Sequence, residues 1–299
     1  QTTFMLVAVV ITLVLIAGEM GLGLGGLISE IRQSDYSTMF IMDWQDKHFF
    51  IKDFLAGMFI AIVMTGLDQD MMQKNLSCRN LKDAKKNIYW LSISLVPVNL
   101  LFLSLGAVLW IYASTVSGFP AMGTTDQLYP TIALQYLGPL AGITFIIGLI
   151  AAAYSSADSA LTALTTSFSV DILGLMKRDD LDGKRKTAIR YRVHIGISFI
   201  VLLVIVGFNA INDSSVISAL FTIAGYTYGP LLGMFAFGLF TKRTVIDNAV
   251  PIIAIISPAI CYVLSVFDQQ LFGGYNLGFE LLLVNGFLTF AGLLLVSKK

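Results

Sequence analysis

Eight apolar stretches punctuate the chain, at 3–28, 51–69, 88–113, 139–168, 189–209, 214–240, 246–266 and 277–297. Each is close to the roughly twenty residues that a helix needs to cross a ~30 Å hydrocarbon core. Apolar residues run through them without the every-second-residue alternation of a membrane β-barrel strand. The pattern predicts an all-α fold, a polytopic membrane bundle of about eight transmembrane helices.

Charge is shared unevenly among the connections. Lys74, Arg79, Lys82, Lys85 and Lys86 follow the second stretch, and Lys177, Arg178, Lys184, Arg185, Lys186, Arg190 and Arg192 the fourth. Lys242 and Arg243 follow the sixth, Lys298 and Lys299 the eighth. The other side holds Arg32, Lys47 and Lys52, out of 19 Lys and Arg in all. By the positive-inside rule the even-numbered junctions are cytoplasmic, and with them both ends of the chain. The alternation also supports the count, since one missed helix would scramble it. The expected location is therefore multi-pass in a plasma membrane, of the bacterial inner-membrane kind. Charged residues form only 13% of the sequence, which excludes an ordinary soluble domain. The net charge of zero sums two faces of opposite character and says nothing of partners.

The fourth stretch carries the most chemistry. Its centre reads Ala151-Ala152-Ala153-Tyr154-Ser155-Ser156-Ala157-Asp158-Ser159-Ala160-Leu161. Three hydroxyls and a carboxylate then lie near mid-membrane, where polar groups are costly and mark binding sites or ion paths. Ala152, Ser155, Ser156 and Ser159 stand at i, i+3, i+4 and i+7, on one helix face. Hard oxygen ligands beside small residues suit a poorly hydrated alkali cation. A small-residue helix interface, with serines bonded to nearby carbonyls, would use the same residues. Locally, both readings stand.

Other chemistry is sparse. Cys78 falls in a cytoplasmic connection and Cys261 inside a helix, so no disulfide is expected. His48 and His194 belong to opposite sides and cannot share a metal. The sequence has no G-x-S-x-G, H-E-x-x-H or P-loop pattern, and no basic patch interleaved with aromatics. Neither an enzyme, an organic cofactor nor a nucleic-acid partner is expected. Gln1 opens directly into the apolar run Thr2–Val10, with no initiator Met or basic flank, and is read as a boundary inside a helix of a longer protein.

Several segments together resemble the sodium:solute symporter family. The serine-rich helix, continuing to Ser169-Val170-Asp171-Ile172, is similar to the family's signature helix. Gly66-Leu67-Asp68-Gln69-Asp70-Met71-Met72-Gln73-Lys74, followed by Ala84-Lys85-Lys86, resembles the family's G-x-x-Q-x-x-x-Q-R segment, with Lys74 for the usual Arg. Asp126-Gln127-Leu128-Tyr129-Pro130 and Gly229-Pro230-Leu231-Leu232 are two smaller matches, and Gln1 fits the Gln of a T-D-x-x-Q run in the fifth core helix. The resemblance implies a transporter of two inverted five-helix repeats with a site at the midplane. Residues 1–30 would be the last core helix of the first repeat, 51–240 the second repeat, and 245–299 two peripheral helices. The first repeat would be largely missing.

The same resemblance implies sodium-coupled symport of a small organic solute, with the sodium ion as coupling ion. Its principal sodium site maps onto the Ala152 carbonyl and the hydroxyls of Ser155 and Ser156. A second cation site of some members falls on Asp158 and Ser159, with Asp158 in place of a Ser. Neutral oxygens suit a monovalent ion, whereas Ca²⁺ takes several carboxylates. Coupling would be linkage, each ligand raising the other's affinity. Asp158 is the titratable group on this helix that a proton-coupled variant would use.

The solute pocket is expected along the second and sixth helices, beside backbone broken or kinked around Gly57, Gly66, Gly225, Gly229 and Pro230. Candidate contacts are Thr65, Thr222, Tyr226 and Tyr228, each of which ordinary packing would equally explain. Asp68 and Gln69 are a candidate inner gate or a solvated helix end. Sugar-transporting members carry Asn, an aromatic gate and Lys at the positions of Ala61, Met64 and Ile93. Those three apolar residues would leave a hexose's hydroxyls unpaired, so a smaller or partly apolar solute is expected. Glu19 within the first span is a further candidate functional group. The alternatives are a transporter-like sensor module of a signalling protein, which the ending at Lys299 directly after the last helix disfavours, and a channel, for which no filter motif is present.

Overall fold

The computed structural model describes residues 2–46, 48–211 and 215–298. Gln1, Lys47 and Lys299 lie outside the described residues, and so do the side chains of Gln69 and Asp70. The chain runs through α1 (Thr2–Glu19), α2 (Leu24–Gln33), α3 (Phe50–Gly66), α4 (Gln69–Leu76) and α5 (Leu81–Thr115). Then come α6 (Leu128–Thr131), α7 (Gly138–Ser167), α8 (Gly183–Ile211), α9 (Val216–Phe240), α10 (Val250–Val266), α11 (Asp268–Leu271) and α12 (Leu281–Val296). Strands β1 (Thr244–Val245) and β2 (Ser297–Lys298) pair antiparallel.

The all-α membrane architecture matches the apolar pattern. Among the described residues, six helical segments are long and apolar enough to cross a bilayer: α1, α5, α7 with its extension to Ile172, α8, α9, and α10 with the turn before it. Two expected spans are shorter, α3 with 17 residues and α12 with 16. The first stretch also differs from expectation. It is two helices, because Gly21 adopts a left-handed backbone (φ 65°) and Gly23 is extended ahead of α2. Glu19, expected within a span, is instead the exposed last residue of α1.

Two compact units divide the chain, Gln1–Ser37 with Gln73–Ser215, and Thr38–Met72 with Val216–Lys299. In the first, α1, α5, α6 and the start of α7 share a core of Val9, Ile16, Leu105, Val108, Leu128, Ile132 and Ala141. Thr12, fully buried in α1, lies 2.8 Å from the Ala8 carbonyl, which the Tyr129 hydroxyl also reaches (3.4 Å), and Thr12 Oγ1 is hydrogen-bonded to the Tyr129 hydroxyl (2.9 Å). That bond satisfies both polar side chains inside an apolar layer. At Gly148 the α7 backbone approaches α1 so closely that an added Cβ would stand 3.3 Å from Ala8 Cβ and 3.4 Å from the Phe4 carbonyl.

The second unit is organised around α9 and α12. Pro230 has no N–H, so the Tyr226 carbonyl one turn earlier loses its helical donor. Asn285 of α12 replaces it: its Nδ2 donates to Tyr226 O (2.9 Å) and Gly225 O (3.1 Å). Ser257 of α10 in turn donates to Asn285 Oδ1 (2.6 Å). α9 therefore remains helical through Pro230, so of the broken or kinked backbone expected there the break is absent. Gly229 and Gly233 leave the room: a Cβ on Gly229 would overlap the Asn285 side chain, and one on Gly233 would meet Gly286 O at 2.5 Å.

A polar knot closes the other end of this unit. The buried Lys52 ammonium donates to Asn276 O (2.9 Å) and Asp46 O (3.2 Å), lies 4.0 Å from Glu280 Oε1 and sits over the Tyr275 ring. Burial, helped by the Glu280 carboxylate, pushes the Tyr275 hydroxyl up to about 12, so it stays protonated and donates to Glu280 Oε1 (3.1 Å).

Asn285→Leu should leave the Tyr226 carbonyl unsatisfied in an apolar layer, at a cost of about 1–3 kcal/mol. The expected readout is a lower melting temperature of the purified full-length protein in detergent. An unchanged melting temperature would show that the proline-freed carbonyl needs no side-chain partner.

Candidate functional site

Helix α7 carries the candidate cation ligands. At about 100° per residue, Ala152, Ser155, Ser156 and Ser159 fall within one arc of about 100°. Ala141, Phe145, Gly148 and Ala163 share that arc and are buried. Toward the middle the face opens: Ala152, Ser155 and Ser159 are half-buried, and Ser156 is exposed. Asp158, also exposed, sits about 60° beyond Ser155. The carboxylate is therefore off the stripe, one helix position to its side.

The buried part of this arc packs on α1. α1 runs antiparallel to α7, since Ile16 and Ala17 share a core with Leu137 and Ala141 while Phe4 and Ala8 meet Gly148. An apolar cleft of about 180 Å³, lined by Met5, Ala8, Tyr129, Phe145, Gly148 and Ala152, lies beside this contact. Beyond it the serines begin.

These serines differ from many of the hydroxyls in the apolar helices. Ser92, Ser104, Thr144, Ser198, Thr222 and Thr227 each return their proton to the carbonyl four residues earlier, at 2.7–2.9 Å. That bond is the usual way to satisfy a hydroxyl inside a membrane helix. Among the described residues, Ser155, Ser156 and Ser159 make no side-chain hydrogen bond. Their oxygen lone pairs, with the second lone pair of helix carbonyls, form a neutral hard-oxygen donor set. Such a set fits a monovalent cation, and places no carboxylate on the stripe itself.

The four candidate solute contacts belong to the second unit and do not converge. Thr222 and Tyr226 line a cleft of about 150 Å³ with Phe221, Gly225, Ser265 and Leu281. Tyr226 bonds Ser265 of α10 (2.9 Å), and Thr222 donates to Ser218 O (2.9 Å). Tyr228, two residues on and so on the other side of α9, donates to Asp68 Oδ2 (2.9 Å). The structure thus joins a candidate solute contact to the candidate gate at the end of α3. Asp68 also accepts from the Met71 N–H (3.4 Å), the helix-capping contact that starts α4. Thr65 is half-buried in α3. Gln69 opens α4, its side chain outside the described ones.

Sequence reasoning missed Asn285 and Ser257, which hold the Tyr226 backbone. An isolated Asn in a run otherwise of apolar and small residues was the available signal. It also missed the clustering of Thr162, Thr165 and Thr166 with Arg190 and His194 between α7 and α8, visible as hydroxyls at i, i+3 and i+4.

Comparison with known proteins gives this geometry a context. The chain is 22% identical over 247 residues to the sodium/sialic acid symporter SiaT of Proteus mirabilis, covering 81% of this chain and 49% of that protein. It is 22% identical over 300 residues to the sodium/sialic acid symporter NanT of Aliivibrio fischeri, covering 97% and 58%. The human sodium/iodide cotransporter is 24% identical over 219 residues, covering 69% and 33%. The chain spans about half the length of the first two curated relatives. The model of the sodium:solute symporter family matches residues 1–250, and the chain belongs to that family.

Proposed function

We propose that the protein carrying this chain couples sodium entry to uptake of a small organic solute. The observation that carries this reading is the α7 stripe, where three hydroxyls share one arc at the centre of an apolar helix and, among the described residues, make no side-chain hydrogen bond. Sodium is held by the Ala152 carbonyl and the Ser155 and Ser156 hydroxyls, completed by ligands from helices outside this chain. Asp158 and Ser159 lie one turn further along, and Asp158 is the charged neighbour of the site rather than its ligand.

In this reading, residues 1–30 close the first repeat, 51–240 form the second, and 245–299 are peripheral. The lysine- and arginine-rich connections face the cytoplasm. Sodium and solute each favour the arrangement that binds the other, so the sodium gradient drives the solute inward. Tyr228 and Asp68 form a latch between α9 and the end of α3 that opens on the solute's path. The relatives are named for sialic acid, iodide and monocarboxylates, and small carboxylates are the first solutes to test.

Uptake of a radiolabelled solute panel by the full-length protein in proteoliposomes should depend on a sodium gradient. Ser156→Ala removes one ligand and should raise the half-saturating sodium concentration by about tenfold. An unchanged sodium dependence would remove Ser156 from the site.

Asp158→Asn should retain sodium-driven uptake with a smaller shift than Ser156→Ala. Uptake driven by a pH gradient and abolished in Asp158→Asn would instead make the proton the coupling ion.

A further inference from the structure

We propose that the cleft between the end of α7 and the first turns of α8 binds a phosphate group, such as an anionic lipid presents. The cleft is about 300 Å³ and separate from the serine stripe. Thr162, Thr165 and Thr166 of α7 face Thr187, Arg190, Tyr191 and His194 of α8 across it. The α8 residues stand at i, i+3, i+4 and i+7, so one helix face supplies all four.

Its chemistry is one-sided. Among the described residues, no carboxylate lines the cleft, and the Arg190 guanidinium has no carboxylate partner. Thr187 commits its proton to the Gly183 carbonyl (2.9 Å), but Thr162, Thr166 and Tyr191 retain theirs for a ligand. Thr165 is 9% exposed, and its hydroxyl lies 3.0 Å from His194 Nδ1. That bond fixes the imidazole ring. When Thr165 donates to Nδ1, the ring proton sits on Nε2, and a protonated ring likewise presents an Nε2–H donor.

Position selects the class of ligand. Arg190 lies about 10 Å along α8 from its first residue, at the depth of the headgroup layer for a helix that crosses the bilayer. Lys184, Arg185 and Lys186 precede it on the charged side of the helix. Basic pockets between membrane helices at this level hold lipid phosphates, and a guanidinium grips a phosphate bidentately. An outward-turned Tyr191, 67% exposed, suits the boundary between headgroups and acyl chains.

The test is native mass spectrometry of the full-length protein titrated with phosphatidylglycerol or phosphatidylcholine, with inorganic phosphate as a competitor. Phosphatidylglycerol should be retained in preference to phosphatidylcholine. Arg190→Gln should weaken that retention about five- to tenfold. Thr166→Val, a near-isosteric change, should weaken it about two- to fivefold and carries the test if Arg190→Gln fails to fold. Arg192→Gln, equal in charge but turned away, should leave it unchanged. Inorganic phosphate binding lost in Arg190→Gln, without any preference between lipids, would assign the same site to a soluble phosphate. Equal effects of Arg190→Gln and Arg192→Gln, or no binding of either phosphate source, would overturn the proposal.

Discussion

One missing backbone proton sets the design of the second unit. A proline in a membrane helix frees a carbonyl where no water can take it. Asn285 answers that carbonyl from a neighbouring helix, and Ser257 from a third helix holds the amide in place. The glycines at 229 and 233 are the steric condition for this, since a side chain there would occupy the space of Asn285 and Gly286. Hydrophobic attraction cannot hold helices together in lipid, so close backbone contact and a shared hydrogen-bond network must do so. Here α9, α10 and α12 are tied through one amide.

The same logic, applied in reverse, marks the serine stripe of α7. Many hydroxyls of the apolar helices are satisfied within their own helix, which makes them chemically silent. On the stripe they are not. A cation offers these oxygens a partner that hydrocarbon cannot. The alanines around them, Ala151, Ala152, Ala153, Ala157 and Ala160, let other backbone approach, as α1 does at Gly148.

Much of this was legible in the chain. The helices were visible because lipid demands long apolar runs, and the stripe because four small or hydroxylated positions share one face. The break between α1 and α2 was not, since hydropathy does not register the positive φ of Gly21. The meaning of Asn285 was hidden because it depends on Pro230, far away in sequence. Tyr226 and Tyr228 looked like two contacts of one pocket. Two residues of a helix point nearly opposite ways, and only the packing of α10 and of the end of α3 shows what each meets.

The second unit is assembled from two stretches of chain, Thr38–Met72 and Val216–Lys299. Its ties are correspondingly distant: Asp68 meets Tyr228 160 positions later, and Lys52 meets Asn276 224 positions later. A ribosome adding ~5–20 residues per second needs roughly ten to forty-five seconds to make the second of these partners. Throughout that interval the Lys52 ammonium has no Asn276 carbonyl and no Glu280 to receive it. Until then only the Asp46 carbonyl, six residues earlier, can hold that ammonium, so the second unit closes around α3 only once its second stretch of chain has been made.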